Sequence, residues 1–405
     1  MRAITVACKT RQAVLNWPSL DDRTTNAHLR FDEQVKGLAV NAIYLVVDGD
    51  YRLLACALAI RLKTLSTADV HIFIEGHEDN GDIISRLPAG VHLHCNILMA
   101  GLPDRLPQSE KWPRIIFGRL MVPEILSGYR RLLYLDVDTL PTERLNDLWG
   151  LKLPNGFGAV ADLDLLAAAL GDRGDATGQQ GGQGPYHGDP GNYLNSGVLL
   201  LDAGVLGSSR GIADQLTRYF EQYGLGSGMF DQDFLNHRFA GRWDQLSPRW
   251  NFQWPLFGLG FDEWLNPMIL HFNRSPKPWH PEFDAQRPQI SHLYRDMVAQ
   301  AGFGPNQPIG KPYRRSRWSR LRQSVRRHVR RSGVVSGRER RLLKQAHAMR
   351  DRYLAHFGAA VRTERYVDPL PPPFARVPSL DFDGRNLVAD QSYVMSKVSE
   401  SWVEG

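Results

Sequence analysis

Short uninterrupted apolar runs, each closed by acidic or small polar residues, recur along residues 41 to 290 and set the expected architecture. "NAIYLVVDGDYRLLACALAIRLKTL" predicts a buried strand over Ile43 to Val47, a loop of Asp and Gly, and an apolar helix. "DVHIFIEG" and "VHLHCNILM" predict two further strands, "IIFGRLMVPEIL" a helix, and "RRLLYLDVD" the next buried strand. Later, "YLNSGVLLLDAGVL" predicts a turn and a strand, "FDQDFLNHRF" opens a helix, and "PMILHFNRSPKPWH" closes the region. Strands alternating with helices imply an α/β fold with a mostly parallel sheet, whose ligands gather at the carboxyl ends of the strands. Asp48, Asp50, Asp136 and Asp138 all stand at such ends.

The flanking segments break this pattern. Residues 1–40 form a mixed, polar N-terminal extension without assignable chemistry, and 41–290 are taken as the catalytic domain. From Gly171 to Asn192 there are eight glycines in 22 residues, which reads as a loop beside a site or as an insertion. Residues 311–331, "KPYRRSRWSRLRQSVRRHVRR", hold ten Lys or Arg and no acid. Setting those ten charges aside turns the chain's net +6 into about −4, so the basicity is local. Trp318, Leu321, Val325 and Val329 share one helical stripe there, as in a helix lying on an anionic membrane, where each basic residue contributes about 1 kcal/mol. A solvated basic helix or linker is the plainer alternative. Leu342, Ala346, Met349, Tyr353 and Phe357 predict a helix over 337–357, and 368–405 are a proline-rich segment and tail.

With 405 residues, 42% hydrophobic and 23% charged, the chain is globular and larger than a single growing core. Cys8, Cys56 and Cys95 have no paired spacing, which argues against a disulfide framework and for a reducing compartment. The N-terminus lacks a signal-peptide pattern, and no stretch approaches the roughly 18 apolar residues of a membrane span. A cytoplasmic location is expected, peripheral to the inner face of the membrane if the basic run binds lipid. No aromatic stacking module points to nucleic acid.

"LLYLDVDTL" admits two chemistries. An apolar strand ending in DxDxT resembles the haloacid dehalogenase phosphatases, in which the first Asp attacks phosphorus. Against a phosphohydrolase, more than a hundred residues precede the pattern and no later strand ends in an acidic pair. Two carboxylates one residue apart on a tight turn also suit one divalent cation bound through hard oxygen ligands, while an isolated pair is more simply a helix-capping turn ahead of "PTERLNDLW".

The pair has company. "VVDGDY", "FGRLMVPEIL", "YLDVDT", "YLNSGVLLLD", "DQDFLN" and "HFNRSPKPWH" resemble, in order and spacing, glycosyltransferase family 8, over about residues 41 to 285. The family comprises retaining galactosyl- and glucosyltransferases of bacterial lipopolysaccharide synthesis and the glycogenins. The resemblance implies a GT-A fold: a single Rossmann-like nucleotide-sugar domain with a mixed, mostly parallel sheet, here with a helical basic C-terminal extension. It implies that Asp48 and Tyr51 bind uridine with Asp50 near the ribose, and that Arg119 meets sugar or diphosphate. Asp136, Asp138 and His271 would complete a Mn²⁺ or Mg²⁺ site, and Lys277 would meet the leaving diphosphate. Asn195, Asp231 and Gln232 would contact the donor sugar, with Asp162 a further sugar-side candidate. Taken singly, these residues are more simply turn formers, a helix cap, a solvated lysine and a structural histidine. Arg274 stands where the family usually has Gly, and a guanidinium clamp on the diphosphate is the expected replacement.

The implied reaction moves a hexose from UDP-galactose or UDP-glucose to a hydroxyl of a glycan or glycolipid, with retention. Asp231 is a candidate nucleophile for double displacement, but Gln232 beside it is not, which favours front-face attack. A non-catalytic nucleotide-sugar-binding protein would use the same pocket.

Overall fold

The computed structural model describes residues 40–368 except 78–80, 110–111, 171–188, 225–228, 258, 260, 262–264, 285–287, 305–308 and 312–336. The N-terminal extension up to residue 39, most of the glycine-rich stretch, the basic run beyond Lys311 and the tail after Asp368 lie outside the described residues.

The strands are β1 (Asn41–Asp48), β2 (Asp69–Glu75), β3 (Val91–Cys95), β4 (Arg131–Leu135), β5 (Thr139–Pro141), β6 (Phe157–Ala161), β7 (Leu194–Asp202), β8 (Asp244–Gln245), β9 (Phe252–Gln253) and β10 (Ile269–His271). Seven of them form one sheet in the order β3-β2-β1-β4-β7-β6-β8. β7 runs antiparallel to both its neighbours, and the other pairings are parallel. This is the expected mixed, mostly parallel α/β sheet.

The apolar runs are continuous because helices cover both faces of the sheet. Ile43, Leu45 and Val47 pack into one core and Ala42 and Tyr44 into the other. The first core also takes α1 (Arg52–Leu65), α2 (Leu163–Leu170) and α5 (Pro288–Gln300); the second takes α3 (Ser209–Tyr223) and α4 (Phe230–Arg238). The predicted C-terminal helix is α6 (Gly337–Arg362), whose buried Tyr353 donates to Leu163 O at 2.7 Å. Beyond it, buried Asp368 accepts from Ser247 N at 2.7 Å and Trp250 Nε1 at 3.0 Å. Among the described residues, no helix is long and apolar enough to cross a membrane.

Two local expectations change. "IIFGRLMVPEIL" is not one helix but a 3₁₀ segment, Arg114–Leu120, and a short α-helix, Val122–Ile125. Pro123 has no N–H to return to Arg119 O, which accepts from the buried Tyr44 hydroxyl at 3.1 Å instead. The aspartate pair does not cap a helix directly either: Thr139–Pro141 is β5, which pairs with β10 and β9 in a separate three-stranded sheet, and the helix within "PTERLNDLW" is the short Asn146–Trp149.

Candidate active site

That small sheet assembles the site. β5 and β10 are antiparallel with Thr139 opposite His271, and Phe272 N donates to Asp138 O at 3.0 Å. β4 delivers Asp136, whose backbone N–H donates to Gly197 O on β7 at 2.8 Å. His271 Nε2 thereby stands 3.4 Å from Asp138 Oδ1 and 3.8 Å from Asp136 Oδ2. One ligand atom from each of the three lies within 4.8 Å of the others.

The donor set suits a divalent cation. Buried Asn251 donates from Nδ2 to Asn195 Oδ1 at 2.9 Å, which leaves its Oδ1 to accept from His271 Nδ1 at 2.9 Å. The proton is then on Nδ1 and the Nε2 lone pair faces the two carboxylates. Gly197 leaves room for this: a Cβ there would stand 2.3 Å from His271 Cε1 and 2.9 Å from Asp136 Oδ2. Two carboxylate oxygens and one imidazole nitrogen fit Mn²⁺ or Mg²⁺.

Charge favours the same ion. Arg119 is buried against the ring of Tyr134, with Nη1 3.1 Å from Asp136 Oδ1 and 3.4 Å from Asp231 Oδ2. Burial opposes its charge, but the two carboxylates prevail and hold it protonated. Tyr134 also donates to Asp136 Oδ1 at 2.5 Å. Burial of Asp138 disfavours ionisation, yet Lys277 and His271 outweigh it and keep its carboxyl well below the usual range. Lys277 Nζ pairs with Asp138 Oδ2 and donates to Phe272 O at 2.7 Å. Asp231 is pushed up to about 6, by burial first, with Asp136 adding to the shift and Arg119 opposing it. Among the described residues, its buried Oδ2 accepts no hydrogen bond. Among the described residues, Asp136, Asp138 and Asp231 thus pair with two cations, Arg119 and Lys277, a deficit that a divalent ion fills.

Behind this centre, Gln232 Oε1 accepts from Ser196 N at 3.0 Å and its Nε2 donates to Asp162 Oδ2 at 3.0 Å. Asn195 Nδ2 donates to the same oxygen at 3.0 Å. All three side chains are buried, a rigid polar patch next to Asp231. At the end of β1, Asp48, Asp50 and Tyr51 sit together, with Trp279 of the "KPWH" turn edge-on to Tyr51 at 6.2 Å. Burial, foremost, together with the charges of Asp48 and Asp138, raises the Tyr51 hydroxyl.

Every candidate from the sequence falls in this region, but Arg274 is engaged away from the carboxylate trio, paired with Asp164. Tyr134, Ser196, Gly197 and Asn251 were not singled out. Tyr134 had a signal, lying two residues before Asp136 on the same strand face. Asn251, in "RWNFQW", had none.

Asp136 is also no free nucleophile: Tyr134 and Arg119 occupy one oxygen and the other faces His271. An α/β sheet carrying acidic groups at the ends of β1 and β4, with a histidine completing a trio that could hold a metal ion, is the arrangement that the resemblance to a GT-A glycosyltransferase implies. The sequence model of Glycosyl transferase family 8 matches residues 45–282, more than half of the chain, and the protein belongs to that family. The phosphohydrolase alternative falls with this finding.

General stress protein A of Bacillus subtilis (strain 168) is 25% identical over 226 residues, 52% of this chain and 72% of the relative. Lipopolysaccharide 1,2-glucosyltransferase of Escherichia coli is 27% identical over 193 residues, 43% of this chain and 52% of the relative. Glycosyltransferase GlyE of Streptococcus pneumoniae serotype 4 is 27% identical over 231 residues, 53% and 46% respectively. The matches thus span about half the length of the latter two. A crystal structure of the galactosyltransferase LgtC with donor and acceptor sugar analogs shares the fold, with a TM-score of 0.50, 21% identity, and coverage of 66% of this chain and 98% of that one.

Proposed function

We propose that the protein transfers a hexose, galactose or glucose, from a UDP-sugar to a hydroxyl of a glycan or glycolipid, with retention at the anomeric carbon and with Mn²⁺ or Mg²⁺ at Asp136, Asp138 and His271. The trio carries the reading, because its tautomer, spacing and charge deficit all suit a cation that binds a diphosphate. The similarity to a lipopolysaccharide glucosyltransferase and to a galactosyltransferase supports a hexose donor and a surface-glycan acceptor.

When bound, the ion supplies positive charge to the departing diphosphate. Lys277 is the chain's own cation for that leaving group, held beside Asp138 until the donor arrives. Asp48, Asp50 and Tyr51 receive the nucleoside, and Asn195, Gln232 and Asp162 take the sugar hydroxyls. Arg119 orders Asp136 and Asp231 from behind. Since Arg119 ties down Asp231 and Gln232 is no nucleophile, retention follows from front-face attack, with the leaving phosphate oxygen accepting the acceptor's proton. Arg274 clamps the diphosphate only after leaving Asp164. The basic run from Lys311 to Arg331 holds the enzyme on the anionic inner face of the cytoplasmic membrane, and unchanged vesicle flotation after its deletion would remove that part of the reading.

Calorimetric titration of UDP with and without Mn²⁺, into wild type and Asp138→Ala, tests the site. Binding that needs both metal and Asp138 is expected; UDP binding indifferent to both refutes the metal assignment. Turnover of UDP-galactose or UDP-glucose then separates an enzyme from a nucleotide-sugar-binding protein.

A further inference from the structure

The carboxylates at the end of β1 already have a partner. Asp48 Oδ1 accepts from Asp50 N at 3.2 Å, and Asp48 Oδ2 accepts from Lys311 Nζ at 2.9 Å. The same ammonium stands 3.8 Å from Asp50 Oδ2. The short arm that brings it, Ile309 to Lys311, is fixed at three more points. Gly310 N donates to Asp50 O at 3.0 Å, Lys311 O meets His280 Nε2 at 2.9 Å, and Ile309 packs against the first core. Gly310, at φ 71°, approaches Tyr51 so closely that a Cβ would lie 2.4 Å from its Cε1 and 3.0 Å from Trp279 Nε1. One arm therefore contacts Asp48, Asp50 and Tyr51 at once, the three residues given to the nucleoside.

We propose that Lys311 belongs to the donor site: its ammonium holds the place of the nucleoside's hydrogen-bond donors on Asp48, and the incoming nucleoside displaces it. The inference rests on the nucleotide-sugar reading of the β1 end. A base or ribose edge offering N–H or O–H to Asp48 competes for the oxygen that now faces the ammonium. The pair suits that exchange, since the side chains of Lys311 and Asp48 are 38% and 22% exposed and water screens their attraction. Lys277 stands on Asp138 in the same manner, so both halves of the site hold their acids with a lysine. Because the two occupants exclude each other, whatever loosens Lys311 tightens nucleoside binding, by at most the same factor.

Uridine is the probe, since it is uncharged and salt acts on it only weakly. Its affinity for wild type, Lys311→Met and Lys311→Arg is measured by NMR titration at low and high salt, alongside UDP binding with Mn²⁺. Lys311→Met is expected to bind uridine up to about fivefold more tightly than wild type, the range of an exposed ion pair. Added salt strengthens uridine binding to wild type and Lys311→Arg and leaves Lys311→Met unchanged. Equal or weaker uridine binding by Lys311→Met, with UDP binding intact, overturns the proposal alone. Failure of all three proteins to bind uridine or UDP overturns the nucleotide reading and the proposal with it.

Discussion

Asn251→Leu tests whether the chain controls which imidazole nitrogen faces the carboxylates. Asn251 and His271 are both buried, and the 2.9 Å bond from Nδ1 to Asn251 Oδ1 fixes the proton on that side. Leucine is close in volume and removes the acceptor. The ring then gains by moving its proton to Nε2, where Asp138 Oδ1 at 3.4 Å and Asp136 Oδ2 at 3.8 Å are waiting acceptors. A hydrogen bond to a charged group contributes about 1.5–3 kcal/mol, and a binding cation must first break it. That range corresponds to a loss of about 10- to 100-fold in Mn²⁺ affinity, the usual consequence of removing a ligand's supporting hydrogen bond. Titration of Mn²⁺ followed by the EPR signal of the free ion reads the affinity directly, and thermal melts confirm that the variant is folded. A folded Asn251→Leu that binds Mn²⁺ within about twofold of wild type refutes the tautomer argument.

Gly197→Ala places a methyl group 2.3 Å from His271 Cε1 and 2.9 Å from Asp136 Oδ2, so the spacing of these two ligand candidates must change. Mn²⁺ affinity should fall by more than about tenfold with little change in the far-UV CD spectrum, and unaltered affinity would show that the ring has room. The histidines at the β2–β3 edge predict acid sensitivity. Burial, aided by His92, lowers His94 to about 4, and burial with His94 and His92 lowers His71 still further. In the unfolded chain both titrate near 6.5, so between about pH 6.5 and 4 the unfolded state binds more protons and stability falls as pH falls. Denaturation curves across that window should show the decline, and His94→Phe should flatten it; an equally steep decline in the variant would assign it to other groups.

What the residues disclosed unaided was the part of the structure that is repetitive or local. The strands showed as apolar runs because both faces of the large sheet are buried. Asp136, Asp138 and Lys277 showed because their motifs are contiguous. The break at Pro123 was also written in the chain, yet the apolar spacing of "IIFGRLMVPEIL" concealed it: what ends the helix is the missing amide opposite Arg119 O, itself satisfied by Tyr44, 75 positions upstream. Asn251 and Lys311 were invisible for a related reason. Asn251 acts on a histidine 20 positions away across a strand pairing, and Lys311 reaches back 263 positions to Asp48. A lysine at the head of a run of ten cations looks like one more solvated charge.

The ladder between β5 and β10 is three residue pairs long, with Leu140 opposite Leu270 and Thr139 opposite His271. Side chains alternate across a strand, so a slip of one residue would turn His271 out of the site and Leu270 or Phe272 into it. What prevents the slip is the burial of Leu140, Leu270 and Phe272, all fully inaccessible to solvent. The alignment of the polar candidate site is therefore inherited from hydrocarbon that stands outside it. Drift in these leucines is bounded by register rather than by volume: a replacement that fills the core equally well but pairs one step out would keep the fold and lose the chemistry.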